Sequence, residues 1–183
     1  MFWKKKNIEV STTKTQENNK KLSSYPERSC WLYLSEKYNE ILFVPIGNIS
    51  PWRSRELNKV IVKEWPLKME ELQNCVHITL DNFKPNVAEI ENNNDNWFSY
   101  KKSKAKSQKS FKLDYVVFQL KTDFARNYEE GEVERFNIKS SSREWEKDRH
   151  YFTGTAHLID ADIAQLIVAI NKDCQKIRSN KSE

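Results

Sequence analysis

YFTGTAHLIDADIAQLIVAINKDCQKI, residues 151–177, joins a short run of strand character to the clearest helix in the sequence. In its second half Ile163, Leu166, Ile167, Ile170, Cys174 and Ile177 recur at i, i+3, i+4 and i+7, which is the spacing of an apolar stripe along one helix face. Asp160 stands before the stripe as an N-cap, and Asp162 lies in the first turn, where the helix dipole favours an anion. Both aspartates are therefore expected to cap the helix and not to ligate a metal. A helix with one apolar face needs a flat surface to cover, and residues 151–159 supply the last strand of such a sheet.

The same reasoning, carried back along the chain, finds the other strands. Residues 30–34 and 41–46 are apolar at successive positions around the polar Ser35 to Glu40, so they read as an antiparallel pair with both faces covered. Lys59-Val-Ile-Val-Lys63 reads as a strand stopped by Trp65-Pro66. Ser50-Pro51 has the form of a helix start. Met69, Leu72 and Cys75 suit one side of a short helix over residues 66–75. Val76, Ile78 and Leu80 then alternate with His77, Thr79 and Asp81, the pattern of a half-buried strand. Residues 111–121, dense in aromatic and β-branched side chains, predict a central strand. Residues 122–131 read as a short helix or helical turn closed by Gly131. Glu134, Phe136 and Ile138 alternate with charged and polar neighbours, as on an edge strand. The fold expected is α+β: a mostly antiparallel twisted sheet of about five to seven strands, with the C-terminal amphipathic helix packed on one face.

Composition agrees with a single packed core. The 183 residues are 38% apolar with 6 Trp, 7 Tyr and 9 Phe, enough large side chains to fill a core despite 31% charge. Only 3 Gly and 5 Pro are present, too few for an all-β sandwich dense in tight turns. Residues 1–29, rich in Lys, Asn, Ser and Thr, are expected to be a mobile basic tail; residues 30–178 form the domain, and 179–183 a polar end. Cys30, Cys75 and Cys174 show no Cys-x-x-Cys spacing and read as buried, reduced core residues. Lys4 to Lys6 are followed by no apolar run of signal-peptide length, and residues 41–46 and 163–170 are too short to span a bilayer. A cytoplasmic protein without a membrane span is the expectation.

Charge is unevenly spread. Residues 1–29 hold seven basic and three acidic groups, and residues 101–113 hold six lysines and no acidic group, while the rest of the chain is net acidic. The asparagine-rich run before Trp97 and the lysines after it, at about residues 92–112, are expected to form one exposed excursion.

These residues support three functional readings, in order of preference. The first is a protein that acts by binding, with no chemistry and no cofactor or metal, most concretely a small bacterial immunity protein or antitoxin that neutralises a toxin. Glu129, Glu130, Glu132 and Glu134 would face a basic partner and the lysine segment an acidic one, with Trp97, Trp145 or Trp52 as an aromatic anchor. The second is an RNA or single-stranded DNA binding protein, in which Lys101, Lys102, Lys104, Lys106, Lys109 and Lys112 neutralise phosphates and the flanking aromatics stack on bases. The third is catalytic. Gln119-Leu-Lys121 resembles the metal-binding strand of the PD-(D/E)xK nucleases, which implies Asp95 or Asp114 as the acidic partner that would complete an ion site. His77, His150 and His157 are candidates for acid–base work on RNA, a role that needs two of them to converge.

Overall fold

The computed structural model describes residues 28–50, 53–87, 97–127, 131–141, 151–157 and 162–180. Its strands are β1 (Ser29–Ser35), β2 (Glu40–Ser50), β3 (Arg53–Glu56), β4 (Ile61–Glu64), β5 (Val116–Asn127), β6 (Gly131–Ser141) and β7 (Tyr151–His157). The helices are α1 (Met69–Asp81), α2 (Phe98–Lys102), α3 (Gln108–Asp114) and α4 (Asp162–Asn180). The strands form one seven-stranded sheet in the order β3-β2-β1-β5-β6-β7, and β4 also lies against β2. Every named pair is antiparallel. Because β4 pairs with residues 40–43 of β2 and β3 with residues 46–50, the two short strands share one edge of β2 end to end.

The expected C-terminal helix is present, and its stripe packs as the spacing predicts: Ile163, Ile167, Ile170 and Cys174 are buried and Leu166 is partly buried. Together with α1 it covers the sheet face that carries Leu32, Leu34, Ile41, Phe43, Val116, Phe118 and Leu120. The three cysteines are free and buried, and burial pushes the Cys174 thiol up to about 11. Asp160 lies outside the described residues. No helix among the described residues is long and apolar enough to cross a membrane.

Several local expectations are corrected. Residues 76–81 are not a strand but the second half of α1, whose buried residues are Leu72, Cys75, Val76, Thr79 and Leu80. That i, i+3, i+4, i+7, i+8 stripe is the helical period, and the strand-like alternation misleads because Ile78 is 41% exposed. Pro51 is outside the described residues, and residues 53–56 form β3, held by the edge of β2, in place of the expected helix. Residues 111–114 belong to α3, not to the strand after it, because Ser107 caps that helix by accepting from Ser110 N. Residues 122–127 continue β5 instead of forming a helical turn, since residues 131–136 pair with them. β6 is flanked by β5 and β7, so β7 takes the edge expected of β6. Arg28, expected in the mobile tail, is tied to β5 through its exchange of hydrogen bonds with Thr122.

Gly47 marks a close approach. Residues 84–87 lie against β2, with Lys84 N donating to Ile46 O at 3.1 Å and Val87 N to Asn48 O at 2.9 Å. A Cβ on Gly47 would stand 2.7 Å from Val87 Cγ1 and 3.0 Å from Leu57 Cδ2. Gly47→Ala is expected to destabilise the fold by about 1–3 kcal/mol through overpacking, read as a lower urea midpoint. An unchanged midpoint would mean that residues 84–87 do not pack there.

Candidate functional site

Residues 97–114, the core of the expected excursion, fold back as a cap on the sheet face opposite α1 and α4. Phe111 and Tyr115 are buried there with Tyr33, Leu42, Val44, Ile46 and Val117, while Trp97, Tyr100 and Ala105 pack against them. The Phe111 ring lies 4.5 Å from that of Tyr115 and meets Trp97 edge-on at 5.4 Å, giving the cap an aromatic keel. Residues 97–114 are therefore structured, because aromatic burial offsets the ordering cost that the lysines alone could not.

Two buried glutamates fasten the cap. Glu56, at the end of β3, is 5% exposed and accepts from Tyr33 Oη at 2.9 Å, Ser99 Oγ at 2.6 Å and Ser99 N at 2.7 Å. Burial pushes its carboxyl above the usual carboxylate range, and the Ser99 and Tyr33 hydrogen bonds pull in the opposite direction. Glu40, at the start of β2, is 1% exposed and accepts from Lys104 N at 2.8 Å and from Tyr115 Oη. That contact, after burial, drives the Tyr115 phenol far up. Beside it Asp114 accepts from Lys37 Nζ at 2.9 Å and Tyr38 Oη at 3.0 Å. A segment so rich in lysine is thus held to the body by carboxylates that bind its backbone and hydroxyls.

This arrangement fixes the lysines in place. Lys101, Lys102, Lys104, Lys106 and Lys109 are exposed on the cap, and Lys112, half-buried, places its ammonium 5.5 Å from the Trp97 ring centre. Trp97 is accordingly engaged by Phe111, Tyr100 and Lys112. Glu132 and Glu134 lie on β6 opposite Arg126 and Phe124 in register. Glu129, Glu130, Trp52, Trp145, His150 and Asp95 fall outside the described residues.

The catalytic candidates among the described residues are not brought together. Gln119 and Lys121 are exposed on β5, where Lys121 pairs with Ser29 at the start of β1. Asp114 is anchored at the other end of β1, beside Lys37 and Tyr38, about 20 Å away at roughly 3.3 Å per strand residue. His77 sits on α1 and accepts a 2.9 Å hydrogen bond at Nε2 from Gln73 Nε2, whereas His157 ends β7. Among the described residues no group of three His, Cys, Asp or Glu is arranged to hold a metal ion.

Glu40 and Glu56 were not legible as functional anchors in the sequence. Glu40 directly precedes the apolar run of β2, the one local sign that it would be drawn inward; Glu56 sits in the polar Arg53-Ser-Arg-Glu56 and gives no such sign.

No family model matches the sequence, and no curated protein does so. Among solved structures, a protein of unknown function from Neisseria meningitidis is similar over 80% of this chain and 94% of its own, with a TM-score of 0.52 and 10% identity. At that identity the likeness lies in the fold alone.

Proposed function

We propose that this protein acts in the cytoplasm by binding another protein, without chemistry of its own, as a small immunity protein or antitoxin that neutralises a toxin. The observation that carries the reading is the β5–β6 ribbon. Pairing of β5 with β1 ends at Lys121, and pairing of β6 with β7 ends at Arg135. Beyond those points residues 123–127 and 131–134 pair only with each other among the described residues. The ribbon's sequence carries Glu132 and Glu134, and Glu129 and Glu130 lie in its connection. A two-stranded arm with such an acidic run suits a basic partner surface, where opposite charge speeds encounter and selects the partner.

The test is co-expression with the protein whose gene adjoins this one. Growth inhibition by that protein should be relieved and a stoichiometric complex recovered. Exchanging Glu132 and Glu134 together for Gln should weaken the complex by about tenfold at low salt and less at high salt. Neither protection nor a complex would sink the reading.

A further inference from the structure

Side chains on a strand alternate between the two sheet faces, so one register row can be followed across the molecule. On β5, Val116, Phe118 and Leu120 enter the core under α1 and α4, whereas Val117 lies under the cap. Gln119 and Lys121 continue the Val117 side, and both are exposed. Trp31 of β1 and Lys139 of β6 stand opposite Gln119. The cap cluster covers Val117 and Tyr33; in the next row Trp31 packs against its margin, partly buried, while Gln119 is exposed. Trp31 is half-buried, with Gln119 and the exposed Lys121 and Lys139 around it.

One face of the molecule therefore carries the exposed Lys101, Lys102, Lys104, Lys106 and Lys109 on the cap and Lys121 and Lys139 on the open sheet. Among the described residues, Glu40 and Glu56 are buried beneath the cap and Asp114 is paired with Lys37. Across the sheet the signs are mixed: α1 has Glu70, Glu71 and Asp81, of which Glu71 pairs with Lys63 and Asp81 with Arg28, and α4 carries Lys172, Lys176 and Arg178 with Asp162 and Asp173. Residues 101–113, with six lysines and no acidic group, thus concentrate positive charge on the cap.

We propose that this face binds single-stranded nucleic acid. The cap lysines and Lys121 and Lys139 neutralise phosphates along the strand, and a base stacks on the Trp31 indole in that row, flanked by Gln119. Lysines are compact point charges suited to phosphates, and a partly exposed aromatic on a flat sheet accepts the face of any base. An acidic protein surface would be drawn by the same charge, but would leave the Trp31 row without a role. This inference is independent of the toxin-neutralising reading, since it uses the opposite charge and the other end of β5 and β6.

Fluorescence anisotropy with labelled oligouridine and oligothymidine of about 20 nucleotides, in about 50 mM salt, tests it. Micromolar binding is expected, with affinity falling steeply as salt rises. The combined variant K102Q/K106Q/K109Q/K121Q should bind at least about tenfold more weakly, with a log–log salt slope smaller by about 3. Trp31→Leu should weaken binding by about fivefold and leave the salt slope unchanged, separating stacking from charge. Thermal melts of the variants confirm folding before binding is compared. Preference for oligouridine names RNA as the ligand, and equal binding admits both strands. The proposal is overturned by absence of binding, by tighter binding of a duplex or of labelled polyglutamate, or by an unchanged affinity in the lysine variant.

Discussion

Phe118→Ala is expected to lower the free energy of unfolding by about 3–5 kcal/mol. Phe118 is fully buried on β5, pairs with Leu32 of β1 and Ser140 of β6, and lies in the cluster that includes Leu72 and Val76 of α1 and Ile163 and Ile167 of α4. Truncating the ring removes its transfer energy and leaves a cavity that a sheet clamped from both sides cannot close. Whole-domain stability is only about 5–15 kcal/mol, so the loss is a large fraction of it. For a chain of this size it corresponds to a fall in Tm of roughly 10 °C. Urea unfolding measures it directly. Ile78→Ala is the control: at 41% exposure on the outer side of α1 it should cost no more than about 0.5 kcal/mol. A large effect at Ile78 would instead restore the strand reading of residues 76–80, in which Ile78 shares a face with Val76 and Leu80.

Glu56→Ala is the second large effect, at about 2–4 kcal/mol, and it acts on the cap as well as on stability. The substitution removes the carboxylate that accepts from Tyr33 Oη and from the Ser99 amide and hydroxyl in a buried site. Ser99 is fully buried, so water cannot readily replace the lost carboxylate. The first turn of α2 should loosen, and trypsin should cut at Lys101 and Lys102 faster than in the unaltered protein. Glu56→Gln should be far milder: its carbonyl can face Ser99 N while the Tyr33 and Ser99 hydroxyls rotate to accept from the amide. Unchanged proteolysis in Glu56→Ala would show that the aromatic keel holds the cap alone.

The raised carboxyl of Glu56 also sets a pH dependence. Above its ordinary value of 4.5 and up to its higher folded value, the folded state binds more protons at this site than the unfolded chain does. Glu56 therefore contributes stability that is fully present below about 4.5 and is lost as pH rises through the folded value. Glu56→Gln does not titrate, so the stability of the unaltered protein relative to this variant should grow as pH falls through that window.

Periodicity along the chain suffices for the strands at residues 30–34 and 41–46, the C-terminal helix and the α+β class, because each depends on a period of apolar residues that local geometry imposes, whereas residues 53–56, 76–81 and 122–127 take their form from what they pair with or pack against. Ile163, Ile167, Ile170 and Cys174 had to share a face whatever they packed against, and the runs around Leu32 and Phe43 had to be covered on both sides. Tertiary structure decided what the charged residues do. Ser99, Phe111 and Tyr115 are drawn under by aromatic contacts distant in sequence, and Glu40 and Glu56 are buried because their acceptors meet Lys104, Tyr115, Tyr33 and Ser99 only after folding. Trp31, Gln119 and Lys139 become neighbours through strand register alone. Local propensity runs along the chain, whereas a polar anchor or a binding face is a relation between residues far apart on it, and only the pairing of β1, β2, β5 and β6 brings those residues to one place.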